Sequence, residues 1–357
     1  MKIAQVAPLY ESVPPKLYGG TERVVSYLTD ELVRQGHDVT LFASADSVTN
    51  AKLRPICERA LRLEGKKIVD PITHHIRMIE AVAQEAVNFD VVHFHTDYLH
   101  FSVTRRQKLP AVTTLHGRLD IPDLVPLYQE FWDMNLVSIS NAQRMPLVWA
   151  NWVGTVHHGL PEDLYKPTLT QGKYLAFLGR ISPEKRVDRA IEIAERVGMP
   201  IKIAAKIDVV GKEYFETKIR KLFDHPLVEY IGEIGEREKG EFLGNALALL
   251  FPIDWPEPFG LVMIEAMACG TPVIAYRLGS VPEIIDEGTT GFMVNNVDEA
   301  VKAVGRLNSI DRAICRSVFE ERFSARRMAL DYVEIYKRII EGQDGSATAE
   351  DDLACAA

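Results

Sequence analysis

The stretch DWPEPFGLVMIEAMACGTPVIAY, Asp254 to Tyr276, sets two carboxylates, Glu257 and Glu265, on either side of Pro-Phe-Gly-Leu. The pattern predicts a proline-bearing loop leading into an apolar helix over 261–269, stopped by Gly270 and followed by Pro272 and a strand. At the start of such a helix the N–H groups of Phe259, Gly260 and Leu261 and the positive end of the dipole form an anion site, and Gly260 lets a phosphate come close. Glu265 stands among Ile264, Ala266 and Met267, so it needs hydrogen-bond donors, because an unpaired buried charge is costly. Sugar or ribose hydroxyls would serve; so would a backbone amide or an arginine.

A second group lies in FLGRISPEKRVD, Phe177 to Asp188. Ser182 as N-cap and Pro183 at the first helical position would put Lys185 in the first turn of a helix, with Arg180 just past a strand. A cation at a helix N-terminus is poorly placed unless an anion such as a diphosphate is brought to it. A solvated face is the plainer alternative. In LYGGTERVVSYL, Gly19 and Gly20 allow either a tight turn or a phosphate contact at a helix start. Histidines gather near strand ends: His93, His95, His116, His157 and His158. His-x-His is a zinc spacing, but no acidic or cysteine partner accompanies it and no Asp-x-Asp is present, so no metal site is expected. His116, followed by glycine, reads as a residue lining a cleft.

These residues need a scaffold. β-Branched runs at 3–7, 38–42, 90–94, 111–115 and 135–139 alternate with helical segments, and a second series follows at 174–178, 201–205, 227–231, 246–251 and 272–276. Strands alternating with helices imply parallel sheets, and two series imply two doubly wound α/β domains. Each series opens with a strand, a glycine loop, an amphipathic helix and a terminating glycine, Gly36 in one and Gly198 in the other. The polar stretch Leu164–Lys173 reads as the linker. Ligands of open α/β sheets bind beyond the carboxyl ends of the strands, which is where all three groups fall. Met328, Tyr332, Ile335 and Ile339 give a terminal helix an apolar face, and 342–357, small and acidic, reads as a disordered tail.

With 357 residues, 47% hydrophobic and 25% charged, the chain has an ordinary globular composition. Its 41 Lys and Arg against 50 Asp and Glu disfavour general nucleic-acid binding. The 4 cysteines form no Cys-x-x-Cys pair, which fits a reducing compartment. The start MKIAQVAP has no signal-peptide pattern, so a cytoplasmic location is expected. No dinucleotide fingerprint, phosphate-loop motif or nucleophile elbow is present, so dehydrogenase, NTPase and serine hydrolase readings lose their anchors.

Gly19-Gly20, His116-Gly117, Gly179-Arg180 with Lys185, Glu257 to Glu265 around Pro258-Phe259-Gly260-Leu261, and Glu283 before Gly291-Phe292 stand in an order and spacing that resembles the retaining glycosyltransferases of family 4, the glycosyl transferases group 1. The resemblance runs from Met1 to about residue 340 and implies the GT-B fold, two Rossmann-like domains facing a central cleft. It implies an acceptor domain over 1–165, completed by a helix at about 323–341, and a donor domain over 166–322. Arg180 and Lys185 would bind and stabilise the leaving diphosphate, in place of a metal or other cofactor, with Gly19, Gly20 and the amides of Phe259, Gly260 and Leu261 completing the cradle. Glu257 would contact the donor sugar, Glu265 the ribose, and Gly232, Glu233 and Ile234 would lie near the base. His116 would stand beside the reacting carbon, so His116, Arg180, Lys185 and Glu257 are the catalytic candidates. His95, Asp97 and Asn141 are the acceptor candidates. Where many members carry Asn-Gly after the last strand of the first domain, this chain has His158-Gly159.

The implied partners are a nucleoside diphosphate sugar and an acceptor alcohol, glycan or lipid-linked sugar, with metal-independent retention at the anomeric carbon. A phosphorylase or epimerase on the same architecture, or a non-catalytic sugar-binding module, are the rival readings. The segment Lys52–Lys67 carries Lys52, Arg54, Arg59, Arg62, Lys66 and Lys67 against Glu58 and Glu64. Part of it, after Pro55, could form an amphipathic surface helix, either solvated or drawn to an anionic acceptor or the anionic inner leaflet.

Overall fold

The computed structural model describes residues 1–16, 19–63, 68–208 and 211–354, with side chains as far as Gly342. The chain forms two units: Met1–Ile139, Arg144–His157 and Ala325–Ala357 make the first, Ser140–Gln143 and His158–Ser324 the second.

The first unit is built on a parallel sheet of seven strands, β1 (Lys2–Val6), β2 (Asp38–Ala43), β3 (Lys52–Pro55), β4 (Val91–Phe94), β5 (Ala111–Thr114), β6 (Leu136–Ser138) and β7 (Trp152–Thr155), in the order β3-β2-β1-β4-β5-β6-β7. The strand order reverses beside β1, and the loops after β1 and β4 open at that point. The inner strands are buried on both faces; β4, Val-Val-His-Phe, has no exposed residue. Ala4, Val6, Phe42, Val92 and Phe94 pack into one core with Met78 and Val82 from the Pro71–Glu85 helix. The chain returns to this unit at Ala325, and the terminal helix Ala325–Ala354 buries Met328, Tyr332, Ile335 and Ile339. The tail expected from 342 onward lies beyond the described side chains.

The second unit repeats the plan with six parallel strands, β8 (Tyr174–Arg180), β9 (Ile201–Lys206), β10 (Val228–Gly232), β11 (Ala246–Phe251), β12 (Val273–Tyr276) and β13 (Gly291–Val294), ordered β10-β9-β8-β11-β12-β13. The unbroken apolar run of β11 is buried throughout, as a central strand covered on both faces must be.

Two expectations are corrected. The Leu164–Lys173 stretch is not where the chain changes unit; that happens at His157–His158. The stretch packs into the second unit instead: Thr168 N–H donates to Cys269 O at 3.0 Å, Lys173 N–H to Asn245 O at 2.9 Å, and a Cβ on Gly172 would lie 2.0 Å from the carbonyl carbon of Ala246. Its polar, glycine-bearing composition serves a close backbone approach, not a hinge. In the segment after Pro55 the described residues, 56–63, form no helix. Lys52–Pro55 is an edge strand paired with β2, and 56–63 run as bends and turns in which Leu61 turns inward, its N–H on Leu9 O at 2.9 Å. Lys66 and Lys67 lie outside the described residues. Among the described residues, no helix is long and apolar enough to cross a membrane.

Candidate active site

In the second unit three loops carry the candidate residues. Arg180 ends β8, its guanidinium 3.5 Å from both Asp208 and Glu184. The chain then turns rather than entering a helix: Lys185 N–H bonds to Ser182 O at 3.1 Å, and the helix starts only at Val187. Ser182 is therefore not an N-cap, and Lys185 stands before the helix, not in its first turn. The cause is Arg186, which is left-handed at φ 51° and breaks the helical path. Its guanidinium bonds to Asp188 and, at 2.9 Å, to Asp254, which also accepts from Arg189 at 3.0 Å. With Asp254 N–H on Glu184 O at 2.8 Å, these bonds fasten the loop after β8 to the loop after β11. The charge-assisted bonds to Arg186 and Arg189 lower the Asp254 carboxyl below its usual range against the cost of burial.

The fastening brings Lys185 onto Glu257. Their head groups form an ion pair, with the side chains only 15% and 12% exposed. Trp255 Nε1–H donates to the same Glu257 oxygen at 2.9 Å, and the Trp255 and Phe251 ring centroids lie 5.2 and 5.5 Å from the lysine nitrogen. Behind Glu257, Gly279 at φ 57° lets the backbone come so close that a Cβ there would lie 2.4 Å from Glu257 N and O. Ser280 N–H bonds to Glu257 O at 3.0 Å. Lys185 thus needs no bound anion to explain its position: a carboxylate holds it, and an incoming diphosphate would have to compete for it.

Gly260, left-handed at φ 80°, caps the helix Leu261–Ala268. The N–H groups of Gly260 and Leu261 have no acceptor among the described residues. Glu265 lies on that helix, 1% exposed. One of its oxygens accepts from Lys239 Nζ at 2.7 Å; the other is buried with no hydrogen-bond partner among the described residues. Neither backbone nor arginine answers Glu265, therefore, but a lysine from the helix Glu236–Gly244. Such a half-answered carboxylate retains one strong acceptor site for a hydroxyl. Gly232 ends β10 at φ 82°, and Glu233 and Ile234 follow in the loop before Gly235 caps the Lys239 helix.

Asn141 falls in the second unit, not in the acceptor domain where it was expected. Glu283 accepts from Asn141 N–H at 2.7 Å, from its Nδ2 at 3.1 Å and from Ala142 N–H at 2.7 Å, so that carboxylate caps the start of the short helix Asn141–Arg144. His158, buried, meets Phe259 edge-on with centroids 4.8 Å apart.

In the first unit Gly19 precedes the helix Gly20–Arg34, and a Cβ there would meet Pro15 at 2.8 Å. His95 follows β4 and His116 follows β5, with His95 Nδ1 2.9 Å from His116 Nε2. Burial drives the His116 imidazole down to about 3. Asp97 adopts φ 50°, and although it keeps solvent access, partial loss of water around its carboxyl pushes it up to about 6. Among the described residues no group of three or more His, Cys, Asp and Glu is placed to hold a metal ion.

Sequence reasoning missed Lys239, Trp255, Arg186 with Asp254, and Gly279. Trp255 and Asp254 stood inside the recognised motif; Lys239 carries no local signal, since its partner lies 26 positions away.

Known proteins agree with this architecture. The profile described as Glycosyl transferases group 1 matches residues 165–313, and that of Glycosyltransferase Family 4 matches residues 18–156. The two follow one another over most of the chain, which belongs to the family 4, group 1 glycosyltransferases of GT-B fold. The D-inositol 3-phosphate glycosyltransferase of Mycolicibacterium smegmatis is 25% identical over 335 residues, covering 78% of this chain and 76% of its own. AviGT4, a glycosyltransferase involved in avilamycin A biosynthesis, superposes with a TM-score of 0.72 at 24% identity, over 96% of this chain and 98% of its own. Anabaena HepE in complex with UDP and glucose does so with 0.71 at 16% identity, over 94% and 98%.

Proposed function

We propose that this glycosyltransferase moves a hexose from a nucleoside diphosphate sugar to an acceptor hydroxyl, with retention at the anomeric carbon and without a metal ion. The observation that carries the reading is the Lys185–Glu257 pair, set in the same loops as the unanswered amides of Gly260 and Leu261. That places a cation, a helix N-terminus and a carboxylate together, suited to a diphosphate and a sugar hydroxyl. On binding, the diphosphate takes Lys185 and Arg180, and Glu257, still held by Trp255, turns to the sugar. Glu265 receives the ribose through its unpartnered oxygen. The bond from the anomeric carbon to the diphosphate oxygen breaks, the acceptor oxygen bonds to that carbon on the same face, and its proton passes to the leaving phosphate oxygen. Cationic and dipolar groups suffice for that step; no protein base is called for.

The acceptor side is assigned to the first unit, with His95, Asp97 and His116. An acceptor bearing an anionic group, as in the name of the mycobacterial relative, is one class to try first, beside glycans and lipid-linked sugars. The test is a panel of nucleoside diphosphate sugars, with diphosphate release measured with and without acceptor and the product's anomeric configuration read by NMR. Release strictly dependent on acceptor, with the donor's configuration kept, is expected. Inversion, or loss of activity in chelator that added metal restores, would overturn the mechanism; release into phosphate or water alone would favour the phosphorylase or epimerase reading.

A further inference from the structure

Behind His116 lies a chain of buried polar side chains, of which the proposed reaction calls on His95 alone. His95 Nδ1 is 2.9 Å from His116 Nε2, and His95 Nε2 is 2.8 Å from Gln5 Oε1. Gln5 Nε2 donates to the Tyr336 hydroxyl at 3.0 Å. That hydroxyl is 2.7 Å from His93 Nδ1, and His93 Nε2 is 2.7 Å from Thr114 Oγ1, itself 2.9 Å from the Tyr332 hydroxyl. Gln5, His93, His95, Tyr332 and Tyr336 are all at most 3% exposed. The chain joins β1, β4 and β5 to the terminal helix.

Histidine, tyrosine and threonine can each reverse their hydrogen-bond direction by relocating a proton; a primary amide reverses only by turning over, because its carbonyl only accepts and its NH2 only donates. With Oε1 turned to His95, the proton must sit on His95 Nε2, which leaves His95 Nδ1 an acceptor. His116 Nε2 must then donate to it. At the other end Gln5 donates to the Tyr336 oxygen, so the Tyr336 hydrogen goes to His93 Nδ1 and the His93 Nε2–H to Thr114. Burial drives His93 and His116 well below the usual histidine range, so each stays a neutral ring with a single tautomer.

We propose that Gln5, through His95, is a positioning residue that fixes His116 as the Nε2–H tautomer, so that any substrate group that reaches the buried His116 Nδ1 must donate a hydrogen bond to it. Tyr336 accepts from the other end of the Gln5 amide, which links the terminal helix to the same network. A hydroxyl of the sugar or of the acceptor satisfies the requirement; a carboxylate, phosphate or carbonyl oxygen does not. The substrate side of this proposal rests on the role given to His116 above, whereas the wiring does not.

The test reads the tautomer directly. In the full-length chain labelled with 15N-histidine, long-range 1H–15N correlations should show His116 and His95 protonated on Nε2 and bare on Nδ1. A His116 protonated on Nδ1 would overturn the wiring without any variant being made. In Gln5→Met, which keeps volume and removes both polar ends, His116 should become a mixture of tautomers. Its kcat should fall roughly 10- to 100-fold, the range typical of partners that orient a functional histidine, while donor affinity stays near wild type. An unchanged His116 tautomer in Gln5→Met would show that Gln5 does not set it. Tyr336→Phe, a milder change, should keep the Oε1 contact and most of the activity if Gln5→Met fails to fold. The expected tautomer together with a fully active His116→Ala enzyme would uphold the wiring and sink the substrate role of His116.

Discussion

The two units hold their functional side chains by opposite means. The second unit works with formal charge: Arg186 and Arg189 on Asp254, Lys185 on Glu257, and Lys239 on Glu265, each cation facing a carboxylate that a ligand can displace or share. The first unit works with neutral groups in a dry interior, where Gln5, three imidazoles and two tyrosine hydroxyls satisfy one another in sequence. Ion pairs in which a ligand can replace one partner suit a site that must admit a diphosphate. A neutral buried network tolerates neither a lost partner nor an added proton, and suits a group whose orientation must not change.

That contrast predicts its largest difference in acid. Burial lowers His93, His100 and His116 far below 6.5, with His100 and His116 at about 3, and lowers His37 and His75 as well. A histidine depressed in the folded state is stabilising above its unfolded value; below about 6.5 the unfolded chain takes the proton first, and stability falls by up to about 1.4 kcal/mol per pH unit for each of His93, His100 and His116, and by less for the partly exposed His37. Asp97, raised to about 6, and Glu22, raised by burial, act in the opposite sense and offset part of the loss. In the second unit the lowered carboxyls of Asp188 and Asp254 begin to cost stability only below about 3.8. Between pH 6 and 4, therefore, hydrogen exchange should show peptides of the first unit losing protection while those from 174 to 304 keep it. Simultaneous loss in both units would break the comparison.

Next in size is the charge of the second unit. Lys185→Ala should lower kcat by on the order of 100-fold or more, the loss usual when a group stabilising developing charge is removed, and Arg180→Ala should act in the same direction. Each is checked by steady-state kinetics with the fold verified by circular dichroism. Near-normal turnover in both would refute the leaving-group role. Lys185→Ala also strands Glu257 with Trp255 alone, so some of the loss should appear in the KM for the donor.

Glu265→Gln and Glu257→Gln sharpen the division inside that unit. Glu265→Gln should weaken the bare nucleoside diphosphate and the sugar donor alike, by roughly 10- to 100-fold, as expected for one hydrogen bond to a charged group. Glu257→Gln should weaken only the sugar-bearing donor. Calorimetry with both ligands on both variants separates the roles, and equal losses for Glu257→Gln would reverse the assignment. Gly279→Ala should follow, destabilising the enzyme by about 1 to 3 kcal/mol in thermal unfolding, because φ 57° and a 2.4 Å approach to Glu257 leave no room for a methyl group.

Most strands were legible because a parallel sheet needs short apolar runs, and those runs stand out between amphipathic helices. The strands that escaped are short edge pieces, Lys52–Pro55, Trp152–Thr155 and Gly291–Val294, whose sequences carry charge, glycine or no alternation. Arg180, Lys185, Glu257 and Glu265 were legible because their motifs are local. What was hidden is long-range: the Ser182 turn looked like a helix start because its break, a left-handed Arg186, is paid for by an aspartate 68 positions on. The same holds for Gln5, which meets Tyr336 across 331 positions and carries no pattern of its own.

The smallest effect is expected where the charge pattern looked most suggestive. Lys52, Arg54 and Arg62 each face a carboxylate of the first unit: Asp38 at 2.8 Å, Glu85 at 2.7 Å and Glu11 at 3.2 Å. The Arg62 guanidinium also lies 5.5 Å from the Tyr10 ring centroid. With these cations answered, and with 56–63 in turns rather than in a helix with one apolar face, little net field remains to draw an anionic surface. Arg54 and its partner are 43% and 34% exposed, so the pair is screened and worth at most about 1 kcal/mol. Arg54→Gln combined with Arg59→Gln should shift unfolding by no more than that and leave the acceptor KM within about twofold, a factor corresponding to less than 1 kcal/mol. Co-sedimentation with vesicles of anionic phospholipid should be equally weak for wild type and variant at low salt. Binding by the wild type that high salt and the double substitution both abolish would show that the exposed part of the segment, not its ion pairs, governs this face.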